Sequence, residues 1–332
     1  MKRREFITLL GGAAAGTSSI SWPLAARAQQ RALPIVGVLS SGAPGPFAET
    51  TLAFNQALSD AGYVADKTVT LEYRWAEGQY DRLPALAADL VNRRANVIVT
   101  AGGAITALAV KAVTTTVPIV FIMGDDPVRA GLVVSLTRPG GNITGVSLII
   151  AELLTKRFDL LSELVPQAAT IALLVNPSNP NTEIDKKNAQ AAASTRGRQL
   201  VILNASSIAE IDVAYETAAQ KQIGALLIGT EILFTNQRAQ FVALAARYRI
   251  PTMHQWREFV TSGGLVSYGT SHTEPYSQAA AYAARILKGE KPANLPVTQP
   301  TKFELAINLK TAKALGLIVS DKLLALANEV VE

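Results

Sequence analysis

The sequence predicts an α/β protein of two Rossmann-like lobes, each with a parallel sheet, joined by a multi-strand hinge. Three observations carry this expectation. Short β-branched runs alternate with longer segments at helical spacing, the pattern of a doubly wound sheet. The alternation runs through two successive series of about 120 residues with no low-complexity linker between them. A strand-like segment then follows the last long helix, so the chain crosses between the lobes more than once, which permits closure about one axis.

The first series opens on a strand at 35–39. A helix follows in which Phe54, Ala57, Leu58 and Ala61 share one face at i, i+3, i+4 and i+7, and Gly62 supplies its stop. Next come a strand at 69–73, a helix with Leu83, Leu86, Leu90 and Val91 on one face, a strand at 97–100, a helix through Lys111, and a strand at 119–123. The second series is read as beginning near Ile143. It continues with a helix at 153–165, a strand at 171–175, a helix around Ala189, a strand at 200–203, a helix at 209–220, a strand at 225–228, a helix at 237–248 and a strand at 265–268. A helix at 275–287 follows, and then Phe303, Leu305, Ile307 and Leu309 alternate strictly, as in a half-buried strand. The expected division is 33–146 plus 272–296 for lobe 1 and 147–271 plus 297–332 for lobe 2.

Composition narrows the function. The 332 residues are 49% hydrophobic and suffice for two cores, which excludes a disordered chain. The net charge of +5 is concentrated at the N-terminus, where Lys2, Arg3, Arg4 and Arg27 face only Glu5, leaving 27 basic and 25 acidic groups beyond it. A nearly neutral body argues against nucleic acid as a partner. Cysteine is absent, which removes disulfides, thiolate metal sites and a cysteine nucleophile together, and also the acylated cysteine of a lipid-anchored protein. Residues 1–28 read as an export signal of twin-arginine type: a basic start with Arg3-Arg4, a Gly/Ala-rich apolar stretch, and Ala26-Arg27-Ala28 as a cleavage site near Ala28. That stretch falls short of the about 20 residues that a membrane span needs. Gly11-Gly12 lies within it, has no strand before it, and is assigned no cofactor role.

In open parallel sheets, ligands bind beyond the carboxyl ends of the strands. Those ends supply the candidate residues: Ser40 and Ser41; Thr100, Gly102 and Gly103; Asp126; Asn176 and Asn179; Thr230 and Glu231; and Tyr268. Gly102-Gly103 before a helix lets backbone N–H groups approach a carboxylate or phosphate, and it also suits a bare tight turn. Asp125 and Asp126 are consecutive and point to opposite sides, so shared acid/base work is not expected of them. Asp126 before Pro127 matches a helix cap; in the functional reading it faces the cleft and receives an ammonium group. Trp256, His254 and His272 are read as packing residues, and two histidines so far apart in sequence suggest no metal cluster and no catalytic triad. No nucleophile is paired with a base, so the expectation is binding without catalysis, with no cofactor and no metal.

The run TTTVPIVFIMGDDPVRAGLVVSLTRPGGNITGVS, the NPSNP segment, REFVTSGGLVSYG and the tail QPTKFELAINLKTAKALGL resemble the ABC transporter substrate-binding protein family that includes tryptophan- and tyrosine-binding receptors. The resemblance implies the type I periplasmic binding protein fold, a small polar or zwitterionic ligand in the interlobe cleft, an inner-membrane ABC permease as partner, and a periplasmic monomer that does not itself span the membrane. Relatives often carry a hydroxyl residue where this chain has Gly103, and one aspartate where it has Asp125-Asp126. Two rival readings remain at this point. A Tat-exported Rossmann-type oxidoreductase needs a full glycine fingerprint after Leu39, which Ser40-Ser41-Gly42-Ala43-Pro44-Gly45-Pro46 does not provide. The effector-binding core of a transcription regulator fits poorly with an export signal and the lack of an N-terminal helix-turn-helix.

Overall fold

A computed structural model describes residues 32–150 and 153–332. The export signal at 1–28 and its cleavage site near Ala28 lie outside the described residues.

The first half alternates strictly: β1 (Ile35–Ser40), α1 (Ala48–Asp60), β2 (Thr70–Trp75), α2 (Leu83–Asn92), β3 (Val97–Ala101), α3 (Ala104–Val113), β4 (Ile119–Met123) and β5 (Ile143–Ser147). The five strands form one parallel sheet in the order β2-β1-β3-β4-β5. The strand at Ile143 therefore closes the first sheet, where the sequence reading had it open the second series. Every residue of β3, β4 and β5 is buried, as expected for strands covered by helices on both faces. That continuous burial gives such strands no period to read.

The second half comprises α4 (Leu154–Leu164), β6 (Thr170–Val175), α5 (Thr182–Thr195), β7 (Gln199–Asn204), α6 (Ile208–Gln220), β8 (Ala225–Ile228), α7 (Ile232–Asn236), α8 (Arg238–Tyr248), β9 (Thr252–His254), α9 (Arg257–Thr261), β10 (Val266–Gly269), α10 (Glu274–Leu287), β11 (Glu304–Asn308), α11 (Leu309–Ala314), α12 (Asp321–Leu326) and β12 (Glu329–Val331). Its sheet runs β12-β11-β10-β9-β8-β6-β7. The segment β7-β6-β8-β9-β10 repeats the winding order of the first sheet. β11 pairs antiparallel with β10, so this sheet is mixed at that edge.

α10 returns to the first half and packs on α1, with Ala279, Ala280 and Ala283 buried in the same core as Phe54 and Leu58. Three alanines on one helix face let the two helices approach closely, and the large side chains of α1 fill the space between them. Beyond α10, Thr298 donates to the Gly145 carbonyl at 3.0 Å and accepts from the Ser147 amide at 2.9 Å before the chain enters β11. The chain thus passes between the sheets three times, after β5, after β10 and before β11. No described helix is long and apolar enough to cross a membrane.

Candidate functional site

The carboxyl ends of the two sheets face one cavity of about 710 Å³, counted out to its mouth. The loop after β3 enters it through Gly102 and Gly103, at φ +95° and +100°. A Cβ at Gly102 would lie 2.0 Å from the Ser41 hydroxyl, so only glycine fits there. Ser41 in turn donates its hydroxyl to the Gly102 carbonyl at 2.8 Å, locking the turn from behind.

This turn aims the N-terminus of α3 at Asp125, whose carboxylate accepts the Ala104 N–H at 2.9 Å. One N–H of the expected anion-binding helix end is therefore taken by the protein's own carboxylate. Of the two readings of Asp126, the capping one holds and the cleft-facing one does not. Asp125 is buried and lines the cavity, whereas Asp126 accepts the Val128 and Arg129 N–H groups at 2.8 and 3.2 Å and does not line it. Their opposite directions are those of an extended segment; the proline after Asp126 fixes which one caps.

The second half contributes Asn179, Pro180 and Asn181 after β6, Thr230 and Glu231 after β8, Gln255 and Trp256 after β9, and His272 after β10. Among the described residues, two side-chain hydrogen bonds join cavity-lining residues of opposite halves. Tyr80, from the loop after β2, donates its hydroxyl to Glu231 at 2.7 Å, and Asn181 donates its amide to Asp125. Asn179 also donates to Glu231, at 2.7 Å. One wall is aromatic: His272 stacks on Trp256 at 4.4 Å, with Phe47 and Tyr276 edge-on to it at 5.5 and 6.2 Å.

The electrostatics follow from burial. Burial pushes the Asp125 carboxyl up from its ordinary value, against the Ala104 and Asn181 donors, and the nearby Glu231 carboxylate adds to the rise. Burial and Glu231 raise the Tyr80 phenol, keeping it a donor. His272 is pushed down to about 4, chiefly by burial, so its ring is neutral near neutral pH. Among the cavity-lining side chains there is no lysine or arginine. Buried carboxylates without a lining cation suit a ligand that carries an ammonium group, and the rings offer it a flat apolar or cation–π surface. Among the described residues no group of three or more His, Cys, Asp or Glu side chains is placed to hold a metal.

Of the residues expected from the sequence, Gly102, Gly103, Asn179, Thr230 and Glu231 line the cavity. Ser40 and Ser41 lie one layer behind it: the Ser40 hydroxyl accepts the Gly42 N–H at 3.0 Å, while Ser41 holds the glycine turn. Thr100 is buried behind the cavity, and Asn176 turns its side chain back onto the Ser178 N–H at 3.0 Å. Tyr268 lies away from the cavity and stacks beside Phe303. Sequence reasoning missed Phe47, Tyr80, Asp125, Asn181, Gln255, Trp256, His272 and Tyr276. Three of these had a readable signal: Tyr80 follows the second strand, and Gln255 and Trp256 follow the three-residue β9, whose shortness hid it.

A family model described as ABC transporter substrate binding protein matches residues 46–331. A tyrosine-binding protein of Clostridioides difficile (strain R20291) is 28% identical over 264 residues, covering 80% of this chain and 75% of its own. A conserved domain protein from Vibrio cholerae superposes with a TM-score of 0.82 at 25% identity, over 90% of this chain and 100% of the other. A domain from Streptococcus pneumonia in complex with L-Trp gives 0.81 at 23% identity, with the same coverage, and shares the fold. The two-sheet architecture is that of type I periplasmic binding proteins. With its matched region spanning both sheets and the cavity between them, the chain belongs to the ABC transporter substrate-binding protein family.

Proposed function

We propose that this protein is the exported, periplasmic receptor of an ABC importer and that its ligand is an amino acid with an aromatic side chain. The observation that carries the ligand class is the pairing of buried Asp125 and Glu231 with the wall of Phe47, Trp256, His272 and Tyr276. A carboxylate that is buried without a cation is costly, and a ligand ammonium relieves that cost while an aromatic side chain fills the apolar wall. The tyrosine named for one relative and the L-Trp held by a structure of the same fold support the same class. In this reading residues 33–146 with 272–296 close as one body against 147–271 with 297–332. The twin-arginine signal at 1–28 takes the chain to the periplasm, where it acts as a monomer and delivers ligand to the permease without chemistry or cofactor.

Thermal melts of the purified protein against L-tryptophan, L-tyrosine, L-phenylalanine, L-leucine, glycine and a set of neutral sugars test the ligand class. At one hundred times the dissociation constant a bound ligand adds about 2.7 kcal/mol of stability, a clear upward shift in Tm. Aromatic amino acids are expected to give the largest shift. A shift with sugars alone would overturn the reading.

A further inference from the structure

An amino acid has a second charge, and the cavity offers no lining cation to receive it. At the α3 N-terminus the Ala104 N–H is already donated to Asp125. Among the polar side chains of the lining, Thr230 and Gln255 both lead back to one residue behind the wall. Arg157, on α4, is fully buried and does not line the cavity. Its guanidinium donates to the Ile150 carbonyl at 2.8 Å, and more weakly to the Gln255 Oε1 and the Thr230 Oγ1, each at 3.5 Å.

Donor chemistry then fixes what the cavity sees. A guanidinium has only donors, so the oxygen it engages must accept. With Oε1 of Gln255 turned toward Arg157, the amide NH₂ is the end left to donate elsewhere. With the Thr230 oxygen accepting from Arg157, its own O–H is likewise free to donate. Asp185 holds the backbone N–H of Thr230, which steadies the same loop. We propose that Arg157 is the positioning residue for the carboxylate end of the ligand, orienting Gln255 and Thr230 as donors and placing a buried positive charge directly behind them. This rests on the reading of the cavity as an amino-acid site and assigns its two poles: Asp125 and Glu231 for the ammonium, Gln255 and Thr230 backed by Arg157 for the carboxylate. Burial lowers the Arg157 pKa only to about 10, so the charge is present at neutral pH.

The test compares each amino acid with its decarboxylated amine, L-tryptophan with tryptamine and L-tyrosine with tyramine, by calorimetric titration of the full chain. The variants are Arg157→Lys, which keeps the charge but loses the fork, and Gln255→Glu, which pairs with Arg157 and presents an acid to the ligand carboxylate. Wild type is expected to prefer the acid. Loss of a charge-assisted contact is worth about 10- to 100-fold, so that preference should shrink by about that factor in both variants. Gln255→Glu serves where Arg157→Lys fails to fold. Variants that keep the wild-type ratio, or that lose acid and amine equally, would overturn the role of Arg157 while leaving the amino-acid reading intact. A wild-type protein that binds neither member of either pair would remove that reading and this inference with it.

Discussion

Replacing Asp125 by asparagine keeps the size of the side chain and one acceptor oxygen for the Ala104 N–H, now 2.9 Å away, but removes the charge. The asparagine nitrogen takes the place of the oxygen that accepts from Asn181, so that bridge is lost, and two further costs follow. The helix α3 loses an anion at its N-terminus, worth roughly 0.3–1 kcal/mol of stability. A ligand ammonium loses a charge-assisted hydrogen bond in a buried site, worth about 1.5–3 kcal/mol, so affinity should fall about 10- to 100-fold. The wild-type affinity should also rise with pH as Asp125 passes its raised pKa, and this dependence should vanish in Asp125→Asn. Asp126→Asn is the matched control, because its carboxylate caps Val128 and Arg129 outside the cavity. Calorimetric titration with L-tryptophan or L-tyrosine at several pH values, with a thermal melt for each variant, reads all three effects. If folded Asp125→Asn binds as tightly as wild type, the ammonium does not meet Asp125 and the polarity assigned to the cavity is wrong.

Two further outcomes follow from other residues. Tyr80→Phe removes one of the two side-chain bridges across the cavity, so ligand-free protein should scatter X-rays with a larger radius of gyration than wild type and contract on adding ligand; identical profiles would show that the Tyr80–Glu231 bond does not hold the halves together. His254 is fully buried, stacked on Phe259 at 4.0 Å, and neither ring nitrogen has a partner, so burial and the Arg157 charge push its pKa down to about 3. The unfolded chain takes up that proton first, so stability is complete above about pH 6.5 and is lost as pH falls toward 3, by about 3 kcal/mol on reaching roughly pH 4. His254→Phe should abolish that share of the acid sensitivity; urea melts of both proteins at about pH 7 and pH 4 that fall in parallel would refute it.

Most of the framework was legible because helices such as α1 carry a period that survives in sequence: Phe54 and Leu58 had to face a core, and they do. Strands buried on both faces carry no period, and for that reason β5 was assigned to the wrong series and β9, three residues long, was passed over. The site was legible where it depends on backbone, as at Gly102 and Gly103. It was less legible where it depends on direction. Nothing in the pair Asp125-Asp126 says which carboxylate turns inward until Pro127 is seen to start a turn capped by Asp126. The aromatic wall was hidden for a different reason: Trp256, His272 and Tyr276 are buried, as packing residues are, and only their convergence from β9, β10 and α10 makes a wall of them.

The repeated winding order has a mechanical consequence. Each half brings one acid to the shared space, Asp125 from the first and Glu231 from the second. Drawing the halves together forces two like charges into a dry volume where neither is well screened. Tyr80 and Asn181 oppose that repulsion only as neutral dipoles. On the proposed reading, a ligand cation lodged between the two acids would reverse its sign, so that the same pair that pushes an empty shell apart would clamp a filled one.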